Sequence, residues 1–158
     1  MNKKLIIGVV LASLIPVVVY TASPLFFTVT IDEEIPMTKT VTLETQNGEP
    51  VQPITLAIGS FVGVGDGIHN AEGTAKVLSL DEAKFLRFED FKATNGPDLH
   101  VYLATDEKAT DYVDLGLLKA NIGNQNYQIP EGIDLSKYDT ALVWCKQFSV
   151  LFGHVNLS

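Results

Sequence analysis

The sequence predicts an all-β body, an antiparallel β-sandwich-like domain, behind an N-terminal transmembrane helix. Three observations predict it. From residue 57 onward, short apolar runs alternate with turn signals, and no apolar stripe of helical period runs beyond about two turns. Leu99 to Ala104 alternates cleanly, with Leu99, Val101 and Leu103 on one face and His100 and Tyr102 on the other. The start of the chain differs from the rest: Leu5 to Ile31 is a run of 27 residues without a charge.

That run follows Lys3 and Lys4 and precedes Asp32, Glu33 and Glu34. A bilayer core takes roughly 20 apolar residues in a helix, so residues 1–31 read as a membrane anchor. The lysines belong on the cytoplasmic side, which sends the rest of the chain outward. A cleaved signal peptide, giving a secreted form, is the alternative. Against it, Pro24 follows the small residues Thr21-Ala22-Ser23, and Leu25 to Phe27 continue the apolar run. Residues 32–56 hold Pro36, Pro50 and Pro53 and read as a spacer, with one strand at Val41–Thr45 and a turn at Asn47-Gly48. A strand pairing with the domain is the other reading of this stretch.

Residues 57–158 form the β domain. Strands are predicted at Ala75–Leu80, Phe85–Glu89, Leu99–Ala104, Tyr112–Leu115, Asn126–Ile129 and Ala141–Val150, the last extended to Leu157 after a bend at Gly153. Turns are predicted at Gly63–Gly67, Asn95–Asp98, Asn121–Asn126 and Pro130–Gly132. The whole chain has 158 residues, with 11 basic and 19 acidic side chains. This acidity argues against a nucleic-acid partner, because phosphate binding needs a basic surface. A single cysteine excludes an internal disulfide framework and every CxxC metal or haem motif.

Cys145 is therefore the one thiol. In a regular strand it shares a face with Ala141, Val143 and Gln147, while Trp144 and Lys146 face the other way. Lys146 is thus badly placed to act on the sulfur. A free cysteine is most often a small buried hydrophobe, but an unpaired one in an exported protein also flags reactivity. His69, His100 and His154 are the candidate partners of Cys145 in a mixed sulfur–nitrogen copper or zinc site. They show no short fixed spacing, and hydrogen-bonded loop and strand histidines are the simpler reading. Gly63 to Gly67 lacks the GxxxxGK[ST] pattern of a phosphate loop, and the scattered acids Glu89, Asp90, Asp106, Glu107, Asp111 and Asp114 lack calcium-loop spacing.

Several blocks occur in order: His69-Asn70-Ala71-Glu72-Gly73-Thr74-Ala75, then Phe85-Leu86-Arg87-Phe88-Glu89-Asp90-Phe91, then Thr94-Asn95-Gly96-Pro97-Asp98-Leu99-His100-Val101-Tyr102-Leu103. Tyr112 to Gly116, Leu118 to Tyr127, Tyr138-Asp139, Val143-Trp144-Cys145-Lys146 and Phe148-Ser149-Val150 follow. Together they resemble the DM-thirteen domain, a family described as an electron-transfer domain, over roughly Ser60 to Leu157. The resemblance implies a compact β-sandwich-like domain outside the cytoplasm. Members stand on membrane anchors or beside DOMON domains, which bind haem or sugar. The family's motif cysteine corresponds to Cys145 and is the residue held to carry redox chemistry. No DOMON domain is fused within this chain, so a haem would belong to a partner such as a DOMON-type protein. His154 stands where a small residue is expected.

The expectation is a redox or electron-transfer protein centred on Cys145, with Trp144 and Tyr102 as neighbours for electron hopping, and not a stand-alone enzyme. A non-catalytic binding or adhesion module and a copper or other metal carrier are the alternatives.

Overall fold

The computed structural model describes residues 28–37 and 52–158, together with Ala12. The anchor read from residues 1–27 and the strand read at Val41–Thr45 lie outside the described residues. Among the described residues, no helix is long and apolar enough to cross a membrane.

Ten strands form two five-stranded sheets. In chain order they are β1 (Thr30–Asp32), β2 (Ile54–Ser60), β3 (Val62–Gly63), β4 (Ala71–Leu80), β5 (Ala83–Ala93), β6 (Leu99–Ala104), β7 (Tyr112–Leu117), β8 (Ile122–Ile129), β9 (Thr140–Cys145) and β10 (Val150–Asn156). The first sheet runs β1-β8-β5-β4-β2 and the second β3-β10-β9-β6-β7. Every pairing is antiparallel except β1 with β8, which is parallel. The predicted all-β, mostly antiparallel architecture is thus what the chain adopts.

The core lies between the sheets. Val77, Leu86, Phe88 and Phe91 from the first sheet meet Val101, Leu103, Val143 and Val155 from the second. Val101 and Leu103 are fully buried, as the alternation of β6 requires. The edge of Phe61 packs on Phe88, ring centroids 4.9 Å apart, and also contacts Phe91. Phe61 sits where the chain passes from β2 in one sheet to β3 in the other, so its ring seals that corner.

Three sequence expectations are corrected. The apolar run Ala141–Val150 is not one strand. It breaks after Cys145 into a hairpin whose turn, residues 146–149, is exposed and ends on Ser149 in the left-handed region, φ 54°. Gln147 consequently lies in that turn and does not share the face of Cys145. At the expected bend, Gly153, the register of β10 against β9 shifts between Leu151 and Gly153, and the strand continues to Asn156. The polar stretch Asn121–Asn126 is strand from Ile122, because Gln125 is wholly buried and satisfied there. Its side chain accepts from the Ala120 N–H and donates to the Ala120 carbonyl, and the Tyr127 hydroxyl donates to it.

β1, β2 and β3 were not foreseen as strands. β1 falls in the stretch read as anchor and spacer, and it docks tightly. Gly123, opposite Ile31, has φ +107° and no space for a Cβ against the Ile31 carbonyl. Glu33 then clasps the sheet: Lys119 Nζ donates to it at 2.8 and 3.0 Å, and the Asn126 N–H donates at 2.7 Å. The almost buried Arg87 donates to the Glu33 carbonyl at 3.0 Å. Burial opposes ionisation of Glu33, but the bonds from Lys119 and Asn126 and the charges of Lys119 and Arg87 outweigh it. The carboxyl stays below its ordinary value.

Candidate functional site

Cys145 closes β9, the central strand of the second sheet, flanked by β6 and β10. A strand so enclosed reads as a continuous apolar run, and Thr140 to Val143 are buried on both faces. Cys145 stands opposite Leu99 on one side and Val150 on the other, with its side chain in the inter-sheet core. It is 1% exposed. The sulfur therefore presents almost no surface to solvent.

The outer face of the same sheet carries aromatic side chains. Tyr102 on β6 is 1% exposed and stacks on Tyr112 of β7, centroids 4.2 Å apart and planes 14° apart. On its other side Tyr102 lies 6.4 Å from Trp144, the residue before Cys145, at 29°. Tyr112 is 44% exposed, so the column reaches solvent. It runs from Tyr112 through Tyr102 to Trp144 and ends one peptide unit from the thiol. Trp144 and Tyr102 were singled out in the sequence. Tyr112 was not, because only the β6–β7 register, Ala104 opposite Tyr112, sets it diagonal to Tyr102.

A polar cluster borders the column. His100 places Nδ1 2.9 Å from Asp114 Oδ1 and Nε2 3.2 Å from Asp98 Oδ1. Lys146 Nζ donates to Asp114 Oδ2 at 3.0 Å. Asp114 resists ionisation through partial burial, yet bonds from His100, the Gly116 N–H and Lys146 hold its carboxyl below the ordinary value. Asp114 in turn raises Lys146. Burial above all, then the charge of Asp114 and the neighbouring Tyr112, push the Tyr102 phenol well up, so it remains protonated.

The three histidines are separated and each is held by carboxylate. His69 Nδ1 meets Asp66 at 2.6 Å, and its ring lies 4.6 Å from Phe152. The His69 and Ile68 backbone N–H groups and the His69 ring bring Asp66 down to about 2. His154 meets Glu107 at 3.0 Å. His100 points from the face of the sheet opposite to Cys145, since it pairs with Trp144 while Leu99 pairs with Cys145. Among the described residues no group of three His, Cys, Asp or Glu side chains is placed to hold a metal. Lys146, beside Cys145 in sequence, is committed to Asp114.

A family model described as "Electron transfer DM13" matches residues 63–157, well over half of the chain and almost all of the two-sheet body. No curated relative and no solved structure matches.

Proposed function

Because the chain belongs to the DM-thirteen family of electron-transfer domains, we propose that it is a one-electron relay in which Cys145 is the redox group and the outer aromatic column is its connection to partners. In this reading, the apolar residues that precede β1 anchor the domain outside the cytoplasm. The observation that carries the route is the continuous column Tyr112–Tyr102–Trp144, solvent-exposed at one end and adjacent to the only thiol at the other.

Burial decides the form of the chemistry. A sulfur that is 1% exposed does not attack an external disulfide or accept a metal without opening the fold. An electron needs only a chain of oxidisable groups. The step is then one-electron oxidation: the Cys145 S–H bond breaks and the electron passes through Trp144, Tyr102 and Tyr112 to an external one-electron acceptor of the haem-iron class. The proton leaves to water beside the exposed 146–149 turn, which directly follows Cys145. The resulting thiyl is restored by an electron returned along the same column from an external one-electron donor, which is oxidised by one electron, and by a proton from water beside the turn. A DOMON-type protein with its own haem fits the acceptor's description.

The test is stoichiometry with a soluble one-electron oxidant. Folded wild type is expected to consume oxidant with loss of the titratable thiol, while Cys145→Ala and Trp144→Phe consume it far more slowly. Equal consumption by wild type and Cys145→Ala overturns the cysteine-centred reading. The second reading, a non-catalytic binding module, is favoured by the same burial, which fits a sulfur that only fills the core. Under that reading all three proteins behave alike toward the oxidant.

A further inference from the structure

We infer that one end of the sandwich is a lipid-contacting surface, which dips exposed apolar side chains from several loops into the outer leaflet beside the anchor. The inference rests on the reading of the apolar residues before β1 as an anchor. It adds a second, independent membrane contact made by the folded domain.

Strand register gathers the relevant residues. β4 begins, β5 ends, β8 begins and β1 begins at one end of the first sheet: Ala71 pairs with Ala93, Lys92 with Ile122, and Thr30 with Ile122. β6 begins, β7 ends, β9 ends and β10 begins at one end of the second: Leu99 pairs with Cys145, Cys145 with Val150, and His100 with Leu117. The connections 64–70, 94–98 and 118–121 join these two ends, so they are the same end of the sandwich. The chain enters there. Thr28 lines one shallow cavity with Asn70, Thr94 and Ile122, and Val29 accepts from the Asn121 and Ile122 N–H groups.

Large apolar side chains stand out in water at this end. Val29 is 50% exposed, Val64 43%, Ile68 70%, Leu117 62% and Phe148 62%. They come from separate segments, so no single strand pattern accounts for them. Val64 and Ile68 ride on a loop in which Gly65 and Gly67 take positive φ, 76° and 77°. The loop's one acid, Asp66, is turned back into the loop, where the Ile68 and His69 N–H groups and the His69 ring bind it. Its charge is therefore held away from the apolar tips. The four segments 64–70, 94–98, 118–121 and 146–149 hold two acids and two lysines. At the opposite end the 81–82 turn and the segments 105–111 and 130–139 hold eight acids and two lysines. An apolar, charge-balanced end at the point where an uncharged 27-residue run enters suits a lipid surface, and the acidic end suits water.

The experiment uses the full chain with Cys145→Ala, reconstituted in phosphatidylcholine vesicles. An environment-sensitive fluorophore is placed at Ile68→Cys or, as control, at Glu131→Cys. The expected result is flotation with the vesicles, blue-shifted emission at position 68 and loss of that emission on adding lipids with chain-borne nitroxides. Position 131 should keep aqueous emission and escape quenching. Flotation with an aqueous, unquenched label at position 68 overturns this inference and leaves the anchor reading standing. Failure to float overturns both.

Discussion

The two ends of the sandwich are built from the same kind of element, short loops between antiparallel strands, yet they are held differently. At the end where the chain enters, the added strand β1 is tied on across the sequence: the Asn121 and Ile122 N–H groups donate to the Val29 carbonyl and Gly123 lies against Ile31, with the Glu33 clasp further along, at mid-sheet. At the far end, segment 130–139 makes mostly local bonds, such as Asp134 accepting from the Ser136 N–H and hydroxyl at 2.9 and 2.6 Å. Its longer side-chain links, from Lys137 and Tyr138 to Asp111, are exposed, and one backbone bond, from the Leu157 N–H to the Asp139 carbonyl, ties it to the residue after β10. The difference teaches that the near end carries apolar surface and the docking of β1, whereas the far end carries charge on turns whose polar bonds are mostly local, over Ile133, Leu135 and Tyr138 packed on the core. The aromatic column joins the two: Tyr112 lies toward the far end and Trp144 toward the near one.

The largest expected effect comes from between the ends. Val101→Asp buries an unpaired carboxylate in the shared core and should cost about 3 kcal/mol or more. Denaturant unfolding should then show both ends melting together at a lower midpoint. Next, Gly123→Ala forces a Cβ onto the Ile31 carbonyl at positive φ. It should cost about 2–4 kcal/mol and release β1. The matching change at the far end, Gly132→Ala, meets no atom within 4 Å and carries only the φ cost, about 1 kcal/mol. Equal losses for the two glycine variants would break the comparison.

Smaller effects sharpen it. Glu33→Gln weakens the charged clasp, and because the site is largely solvent-screened the loss should be about 1 kcal/mol. The same group gives a pH signature. Its folded pKa is lowered, so its contribution is present above the ordinary glutamate value of 4.5 and is lost as pH falls through the lower folded value. The Asn126 amide resonance should therefore be constant at neutral pH and move only below 4.5, and Glu33→Gln should abolish that movement. Asp134→Asn, on an exposed turn, should change neither midpoint nor the position of β1.

Much of the fold could be read from residues alone. Leu99 to Ala104 declared its strand because its faces alternate, and Leu99, Val101 and Leu103 fill the core as expected. The β9–β10 hairpin was hidden because Ala141 to Phe152 is apolar almost throughout, and nothing in Lys146 to Ser149 is a glycine or proline that would mark the turn. β1 was hidden for a different reason: Thr30 and Ile31 continue an uncharged run whose composition suits lipid. At the site, Cys145, Trp144 and Tyr102 could be picked from sequence. Their arrangement could not, because Tyr112 joins the column only through register. The apolar end was likewise illegible, since Ile68, Leu117 and Phe148 are far apart until the topology brings their loops together.

The most direct measurement is the lifetime of the Trp144 radical, followed by absorption after a pulse of one-electron oxidant on the folded protein. Relay to Cys145 predicts a short-lived indolyl signal in wild type and a much longer-lived one in Cys145→Ala, with both variants folded by circular dichroism. The same lifetime in both proteins would contradict electron transfer between the column and the buried sulfur.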